Sequence, residues 1–332
     1  MPINLSTQAV RTMNVKLTAC FNEGVNDALK QMEDLYSADG TPVGTALDLV
    51  YRSPSDTADN AFLYPEVRFD IQDFGAGDGS PEEGIKLYES RLASGNYKGK
   101  IIPVNLTDFE DDKVGQFRVV FYKLGRSLVR APLRLIETTL YTACEGSSLT
   151  GFDGQPLFSQ QHPTKPNESG AGTTANPYVS NDLVQASGLT FPNFAAAYAA
   201  FLGIPDESGF PLEDQLPQWL WFDPMLLGQA MDICFMDRPS ALQGGGNQWK
   251  GKVKPLMVRK LQGTGMWGLA DCYSAMERPF NYVEREPFKF RGLFTNPEDP
   301  IVRERRQLKW QVDGRCNVGP GMWRKILRSR PS

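Results

Sequence analysis

The sequence predicts an α+β fold, in which helices and strands occupy separate stretches of the chain. Two observations lead to this class: a long helical pattern lies between residues 107 and 146, and strand-like segments follow residue 249 without the strand–helix alternation of a parallel sheet. The chain of 332 residues is 41% apolar and 22% charged. This composition is ordinary for a globular protein, and the length is enough to bury a large core.

The N-terminal region predicts one helix and one strand. Apolar residues recur there at helical spacings of 4, 3 and 3 residues: Val25, Leu29, Met32 and Leu35. This period places them on one face, so a helix is predicted over residues 22–36. The segment LDLVYRSPSD, residues 47–56, is predicted to be a strand that leaves a turn.

A long arm is predicted after this strand. Its first part alternates apolar and polar residues, with Val67, Phe69 and Ile71 on one side, which is the pattern of a half-buried strand. A glycine cluster at residues 75–79 interrupts the pattern, and a strand is predicted again over residues 98–104. Connections longer than about 12 to 15 residues are usually functional or disordered, so we expect this arm to contact another molecule.

The strongest helical pattern covers residues 107–130. Thr107 and Glu110 form a capping box, and neighbouring aspartates place negative charge at the positive end of the helix dipole. The apolar residues define a single stripe: Val114, Phe117, Phe121, Leu124 and Leu128. A second stripe continues the pattern from Pro132 until Gly146: Leu133, Ile136, Leu140 and Cys144.

The second half of the chain predicts loop, then helix, then strands. Residues 146–189 are rich in Gly, Ser, Thr, Asn and Pro, which is loop composition. A short helix capped by Thr190 follows, and residues 215–235 are predicted to be a buried strand that runs into a helix. The remaining strands are predicted in these segments: VKPLMV, MWGLAD, FKFRGL, QLKWQV and MWRKIL.

The charge distribution argues against a dedicated nucleic-acid-binding protein. The 35 Lys and Arg residues are outnumbered by 39 Asp and Glu residues, which gives a formal net charge of −4. Residues 301–332 are the exception, with nine basic and two acidic side chains. We expect these cations to pair with carboxylates of the same chain or of a neighbouring copy, and contact with nucleic acid is the alternative.

No constellation of catalytic residues stands out. His162, the only histidine, lies in a polar loop with no sequence signal for a nucleophilic partner, so we expect a His162→Asn variant to keep its function. The five cysteines are widely spaced, which predicts reduced thiols and no zinc site. The sequence also predicts no cofactor, no metal and no membrane span. Because Asp and Glu residues are scattered along the whole sequence, a catalytic acid–base pair of carboxylates stays an alternative.

Two segments carry a family resemblance: NLTDFEDDKVGQFRVVFYKLGRS, residues 105–127, and GFDGQPLFSQQHP, residues 151–163. They resemble the Mu-like phage major head protein, gpT, a major capsid protein of the Hong Kong 97-type fold. The family's motifs stand in order at Asp108 to Asp112, Gly125-Arg126-Ser127, Asp153-Gly154, Leu157-Phe158 and His162-Pro163. The resemblance runs from about Ala61 to the C-terminus and includes LTFPNFAAAYAAFL, LPQWLWFDPMLLGQAM and VDGRCNVGPGMWRKILRS.

The resemblance implies a shell protein with an N-terminal arm, an extended loop (E-loop), a peripheral domain with a long spine helix, and an axial domain. The implied boundaries are residues 1–54 for the arm and the start of the peripheral domain, 55–104 for the E-loop, 105–150 for the spine helix, 151–285 for the axial domain, and 286–332 for the return to the peripheral domain.

The resemblance also implies which residues function. The core face of the spine helix is the stripe from Val114 to Leu128. Inter-subunit contacts of the E-loop are expected at Phe69, Ile71, Phe74, Asp78, Glu82 and Glu83. A basic C-terminal interface is expected at Arg303, Arg305, Arg306 and Arg315.

The implied function is structural and not enzymatic. The chain would be the major capsid protein of a tailed double-stranded DNA phage or prophage, assembled in the host bacterial cytoplasm into hexamers and pentamers of an icosahedral virion shell. The implied partners are further copies of the chain, a separate scaffold protein, a portal, a decoration protein, and packaged DNA contacted without sequence specificity. The alternatives are an encapsulin-like shell that encloses protein cargo, and a soluble enzyme with a carboxylate site.

Overall fold

The computed structural model contains both helices and sheets, which confirms the predicted α+β class. The structure describes residues 7–35, 37–38, 41–42, 45–55, 57–65, 87–105, 108, 114–146, 149–166, 168–186, 188–238, 245–296 and 299–331.

The helices within these ranges are α1 Thr7–Leu35, α2 Val114–Val129, α3 Ala131–Glu145, α4 Phe191–Leu202, α5 Leu227–Phe235 and α6 Pro300–Arg305. The first strands are β1 Ser37–Ala38, β2 Thr41–Pro42, β3 Val50–Pro54, β4 Asp59–Pro65, β5 Leu87–Ala93, β6 Tyr97–Asn105, β7 His162–Pro163 and β8 Tyr178–Val179. The later strands are β9 Asp182–Val184, β10 Trp219–Phe222, β11 Lys254–Met257, β12 Trp267–Ala270, β13 Phe280–Phe294, β14 Gln307–Pro320 and β15 Ile326–Arg330.

A four-stranded sheet with the order β3-β13-β14-β6 forms one half of the molecule. The long strands β13 and β14 pair antiparallel, β6 pairs antiparallel with β14, and β3 runs parallel to β13. From Gln307 to Val318 of β14, burial alternates, and Leu308, Trp310 and Val312 lie on the buried face. The alternation follows from the two-residue period of a strand, and it gives the sheet one apolar face for helices to cover.

Helices α1 and α2 form the layer that packs with this face. Leu17 and Phe121 are wholly buried in a cluster with Trp310, and Phe121 meets the Trp310 ring edge-on at a centroid distance of 5.1 Å. Phe21 stacks on Phe290 of β13 at 4.3 Å. Aromatic rings bury large apolar areas and prefer these offset and edge-on geometries, so this cluster ties both helices to the sheet.

Two glycines allow α1 and α2 to approach closely. A Cβ atom on Gly24 would lie 2.1 Å from the backbone oxygen of Tyr122, and one on Gly125 would lie 2.2 Å from the backbone oxygen of Phe21. These distances are far below van der Waals contact. Each glycine is therefore required by the other helix's backbone, and the Tyr122 hydroxyl adds a hydrogen bond to Asp27 at 2.7 Å.

The larger core surrounds a five-stranded sheet with the order β11-β10-β12-β15-β9. Its central strands are buried along their whole length, as expected for a sheet covered on both faces. The core includes side chains of α3, α4 and α5 together with the wholly buried Trp221, Trp267 and Trp323. All five cysteines are buried and free, which confirms the prediction of reduced thiols.

The structure confirms some predicted elements and corrects others. Helix α3 carries the predicted second stripe and ends at Gly146, which has a left-handed φ of 99°. Helix α1 begins at Thr7, well before the predicted residue 22, and its buried side includes Leu17, Cys20, Phe21 and Ala28, whereas Leu29 of the predicted stripe is exposed by 48%. The capping box falls outside the described residues.

Strand β5 was missed because its outward-facing residues are charged, although Tyr88, Ser90 and Leu92 alternate with them. The segment MWRKIL begins with a 3-10 turn, and β15 starts only at Ile326. The predicted boundary at residue 286 falls within β13, and β15 lies in the five-stranded sheet. Residues 286–332 therefore contribute to both sheets. No described helix has the length and apolar character needed to cross a membrane.

Glu137 is a buried carboxyl group on α3. The helix packs on the 3-10 turn Arg259–Leu261, and the carboxylate accepts a hydrogen bond from the Arg259 backbone N–H. Burial raises the pKa of Glu137, and the nearby Arg259 and Arg134 only partly oppose this shift. The folded state therefore disfavours the ionised form.

Replacing Gly125 by Ala is expected to destabilise the protein by roughly 1–3 kcal/mol, because the new methyl group overlaps the α1 backbone. Urea unfolding followed by circular dichroism measures this loss. The matched control is Gly228→Ala on α5, where a Cβ meets nothing within 4 Å. That variant is expected to gain about 0.5–1 kcal/mol, since Ala favours a helix. Equal gains in both variants would contradict the close helix packing.

The raised pKa of Glu137 predicts a pH-dependent stability difference. As pH rises above the unfolded pKa of about 4.3, the unfolded state releases this proton more readily than the folded state, so the stability contributed by the protonated group is lost. A Glu137→Gln variant has no such loss. Its free energy of unfolding relative to the wild type is expected to increase between pH 4 and pH 7. A constant difference across this range in urea titrations would count against the buried, destabilised carboxylate.

Candidate functional site

A two-stranded ribbon, β4 paired antiparallel with β5, forms a sheet of its own that packs on the body of the protein through one face. Its ladder runs from Asp59 opposite Ala93 to Pro65 opposite Leu87. The inner face of the ribbon is buried, and the outer face exposes Leu63 by 58% and Leu87 by 49%. Exposed leucines on a projecting element favour contact with another molecule.

The connection between the two strands of the ribbon, residues 66–86, contains the predicted E-loop contacts. These residues are Phe69, Ile71, Phe74, Asp78, Glu82 and Glu83, and all lie outside the described residues. The structure describes instead the paired strands of the ribbon, Asp59–Pro65 and Leu87–Ala93, which form its root. The sequence did not identify this root as a candidate site. The alternation in LYESRLA, residues 87–93, was the signal that could have identified it.

Aromatic residues anchor the root of the ribbon to the body. Phe62, Tyr64 and Tyr88 are buried in a small cluster with Val283 and Met322. The Tyr64 hydroxyl accepts a hydrogen bond from the Asn281 side chain at 2.5 Å. Burial raises the pKa of Tyr64 to about 12, so this hydroxyl stays neutral at physiological pH.

Polar contacts also fix the point where the ribbon joins β6. Asn60 donates to the backbone oxygen of Leu92 at 3.1 Å and to the Ser94 hydroxyl at 3.2 Å. Ser94 in turn donates to the Thr57 backbone oxygen at 2.6 Å, and Asn317 of β14 donates to the Ala93 backbone oxygen at 2.9 Å. The ribbon is thus held to the long sheet at both strands.

Two residues of the predicted spine stripe lie between α2 and the four-stranded sheet. Phe121 is wholly buried, and the half-buried Phe117 packs against the same cluster. Leu124 and Leu128 are half-buried. The side chain of Val114 lies outside the described residues.

The basic C-terminal segment divides into two groups. Arg303, Arg305 and Arg306 are exposed on and just after α6, and the described part of the chain offers them no ion-pair partner. Arg315 contacts the same chain: its Nε donates to the Gly95 backbone oxygen at 2.8 Å, and its guanidinium lies 5.6 Å from the Tyr97 ring centroid. The other group of cations is buried.

Each buried cation of this segment meets a carboxylate of the same chain. Arg324 lies 3.0 Å from Glu207. Lys325 lies 2.9 Å from Asp271. Burial lowers the pKa of Arg324, and Glu207 opposes this shift.

Arg328 and Asp182 form the most complete of these pairs. Arg328 donates from Nε and Nη2 to the two oxygens of Asp182, both at 2.7 Å, and also contacts the backbone oxygen of Cys144 at the end of α3. Arg330, which is partly exposed, adds a second contact to Asp182 at 3.1 Å. These partners are far apart in sequence, so no local pattern could have identified them.

His162 is wholly buried, which corrects the prediction of a polar loop. It lies on β7, its Nδ1 is 2.5 Å from Asp153 Oδ2, and its Nε2 is 3.2 Å from Asn181 Oδ1. Its ring stacks on Trp323 at a centroid distance of 4.1 Å. Each ring nitrogen is thus engaged by a structural partner. In the described part of the chain, no group of three or more His, Cys, Asp or Glu residues could hold a metal ion.

The body with its two sheets, the helix pair and the projecting ribbon reproduces the fold of solved phage capsid proteins. The capsid of cyanophage P-SCSP1u aligns with a TM-score of 0.53 and 12% identity over 89% of this chain and 90% of that chain. The procapsid of bacteriophage JBD30 aligns with a TM-score of 0.51 and 19% identity over 97% of this chain and 76% of that chain. The fold is therefore the Hong Kong 97 type, as the resemblance implied.

A family model, the Mu-like prophage major head subunit gpT, matches residues 91–188 and 257–332, more than half of the sequence. The chain belongs to this family, whose members are structural head subunits and not enzymes. The major capsid protein of Escherichia phage Mu is 34% identical over 102 residues. That match covers 30% of this chain and spans only 32% of the relative's length.

The family match is narrower than the resemblance predicted. Residues 61–90 lie outside it, as do the segments LTFPNFAAAYAAFL and LPQWLWFDPMLLGQAM. The two segments that first carried the resemblance, 105–127 and 151–163, lie inside it.

Substituting Asp182 by Asn is expected to destabilise the protein by about 3–5 kcal/mol, because Arg328 would remain buried without a charged partner. Thermal unfolding measures the loss. The matched control is Asp237→Asn, which removes an exposed pair with Lys250 and is expected to cost about 0–1 kcal/mol. Similar melting temperatures for the two variants would contradict the structural role of the buried pair.

Proposed function

We propose that this chain is the building block of a phage head and self-assembles into the hexamers and pentamers of an icosahedral shell. Family membership carries the proposal, since the matched residues include both long strands of the four-stranded sheet and α2, one of the two helices that cover it. The proposed site of action is the virion, after assembly in the cytoplasm of the host bacterium.

The projecting ribbon supports a role in contacts between subunits. We propose that residues 59–93 of the predicted segment 55–104 act as the E-loop, because β6 at the end of that segment belongs to the four-stranded sheet. We further propose that Phe69, Ile71, Phe74, Asp78, Glu82 and Glu83 contact a neighbouring copy. The described root supports this role. Buried aromatic residues hold one of its faces on the body, while Leu63 and Leu87 on the other face are exposed and would contact a partner. A stable contact would bury on the order of 1,000 Å² or more.

The remaining regions receive proposed positions in the shell. Residues 1–54 and the α2–α3 element would belong to the arm and the peripheral domain, and the five-stranded sheet would form the axial domain. Because β15 lies in that sheet, the C-terminal end would belong to the axial domain although residues 286–320 return to the peripheral one. The sheet arrangement supports this revision of the predicted boundaries.

The exposed arginines are proposed as a second interface. Arg303, Arg305 and Arg306 would meet carboxylates of a neighbouring subunit, whereas Arg315 supports its own chain through Gly95 and Tyr97. The proposed partners beyond further copies are a separate scaffold protein, a portal, a decoration protein and packaged double-stranded DNA. The overall charge of −4 lacks the basic footprint of a dedicated nucleic-acid-binding protein, so the proposed contact with DNA is without sequence specificity.

Expression of the full chain, followed by sedimentation and negative-stain electron microscopy, tests the proposal. Closed particles or capsomers are expected, with or without a co-expressed scaffold. A species that stays monomeric under all salt and crowding conditions would overturn it.

Deletion of residues 74–83 tests the arm. The described root does not include these residues, so the variant is expected to keep the wild-type melting temperature and to assemble poorly. The control is Asp237→Asn, an exposed change away from the ribbon, which is expected to assemble normally. Normal particles from the deletion variant would remove the proposed role of the arm.

A further inference from the structure

The turn Gly151–Gly154 links the root of the ribbon to the five-stranded sheet. Phe152 of this turn lies against both strands of the ribbon, with ring-centroid distances of 5.4 Å to Tyr64 and 5.5 Å to Tyr88. The two tyrosines are cross-strand partners in the ladder. A single side chain of the body therefore contacts both strands at the same level of the ribbon.

The residue after Phe152 fixes the turn from the opposite side. The side chain of Asp153 is wholly buried, accepts a hydrogen bond from the Gln155 backbone N–H at 3.1 Å, and lies 2.5 Å from His162 Nδ1. Gly154 has a φ of 74°, a conformation that side-chain-bearing residues rarely adopt. The geometry of the turn is thus set by its backbone and by one buried side-chain contact.

The hydrogen-bond partners of Asn181 identify which of its side-chain atoms faces His162 Nε2. The Asn181 amide nitrogen donates to the backbone oxygen of Leu157 at 2.7 Å, and its amide oxygen accepts from the Ser159 backbone N–H at 2.9 Å. The atom that faces His162 Nε2 is therefore an acceptor, so Nε2 carries a hydrogen. On the other side of the ring, His162 Nδ1 shares a hydrogen bond with Asp153 Oδ2.

Trp323 completes the seat of the imidazole. The indole ring stacks on His162 with an interplanar angle of 4° and belongs to the segment that leads into β15. Arg324, with its guanidinium 4.8 Å from the Trp323 ring centroid, is balanced by Glu207. The histidine is thus immobilised by the core of the five-stranded sheet.

We infer that His162 is a positioning residue that sets the direction of the projecting ribbon by holding Asp153 and, through the turn, Phe152 against Tyr64 and Tyr88. The contacts form a continuous path from the five-stranded sheet to the ribbon. The consequence for shell assembly rests on the proposed function, whereas the coupling itself is a property of the single subunit. An experiment can therefore disprove the proposed function without disproving the coupling, and the reverse.

Hydrogen exchange of unassembled subunits tests the coupling. Phe152→Ala and His162→Gln are each expected to raise exchange of the amides in Asp59–Pro65 and Leu87–Ala93 by about tenfold. The control is Val258→Ala, a buried substitution elsewhere in the five-stranded domain, which lowers overall stability without a selective effect on the ribbon. Selective ribbon exchange in the control, or none in both test variants, would overturn the inference.

A double-mutant cycle separates positioning from general stability. If His162 acts on the ribbon through Phe152, adding His162→Gln to Phe152→Ala is expected to change ribbon exchange little further. Additive effects would show independent roles and overturn the inference.

Asp153→Asn supplies a conservative variant that is expected to fold. Its amide oxygen can accept from Gln155 N–H and its amide nitrogen can donate to Nδ1, so ribbon protection is expected to persist, whereas Asp153→Ala is expected to lose it. Equal exchange in the Asn and Ala variants would contradict the proposed hydrogen-bond path. If the wild type forms no particles while these results hold, the proposed function fails and the coupling stands.

Discussion

Much of the body depends on the pairing of three buried cations, which lie in the last 3-10 turn and in β15. Each of them needs a carboxylate beside it. Arg324, Lys325 and Arg328 have nearly no solvent contact, and a buried charge is tolerated only beside an opposite charge. Their partners come from three separate stretches of the chain. The native position of the C-terminal segment therefore depends on the positions of the loop at 203–216, the end of β12 and β9.

The same C-terminal segment contacts both the ribbon and the five-stranded sheet. Met322 packs with the ribbon root, the Trp323 ring supports His162, and β15 occupies an interior position between β12 and β9. The C-terminal stretch is therefore the common support of the ribbon and the five-stranded sheet.

Sequence patterns reveal the buried faces of some helices and strands directly and those of others poorly. A half-buried helix such as α3 shows its stripe directly, since local spacing decides which side chains share a face. The face of helix α1 was predicted less well, because its closest contact with α2 is made through Gly24, whereas the apolar Leu29 of the predicted stripe is exposed. Strand β5 was missed because its outer face carries Glu89 and Arg91, which suggest a loop unless the inner alternation is noticed.

The sequence by itself determined the α+β class, the stripe of α3, the reduced cysteines and the motifs that resemble the head-subunit family. These properties depend on composition, on local periodicity or on the order of motifs along the chain. Only the tertiary structure decided that His162 is buried between Asp153, Asn181 and Trp323, and that the C-terminal cations divide into an exposed and a buried group. Both outcomes depend on pairs of residues distant in sequence, whose proximity is created by the packing of the sheets.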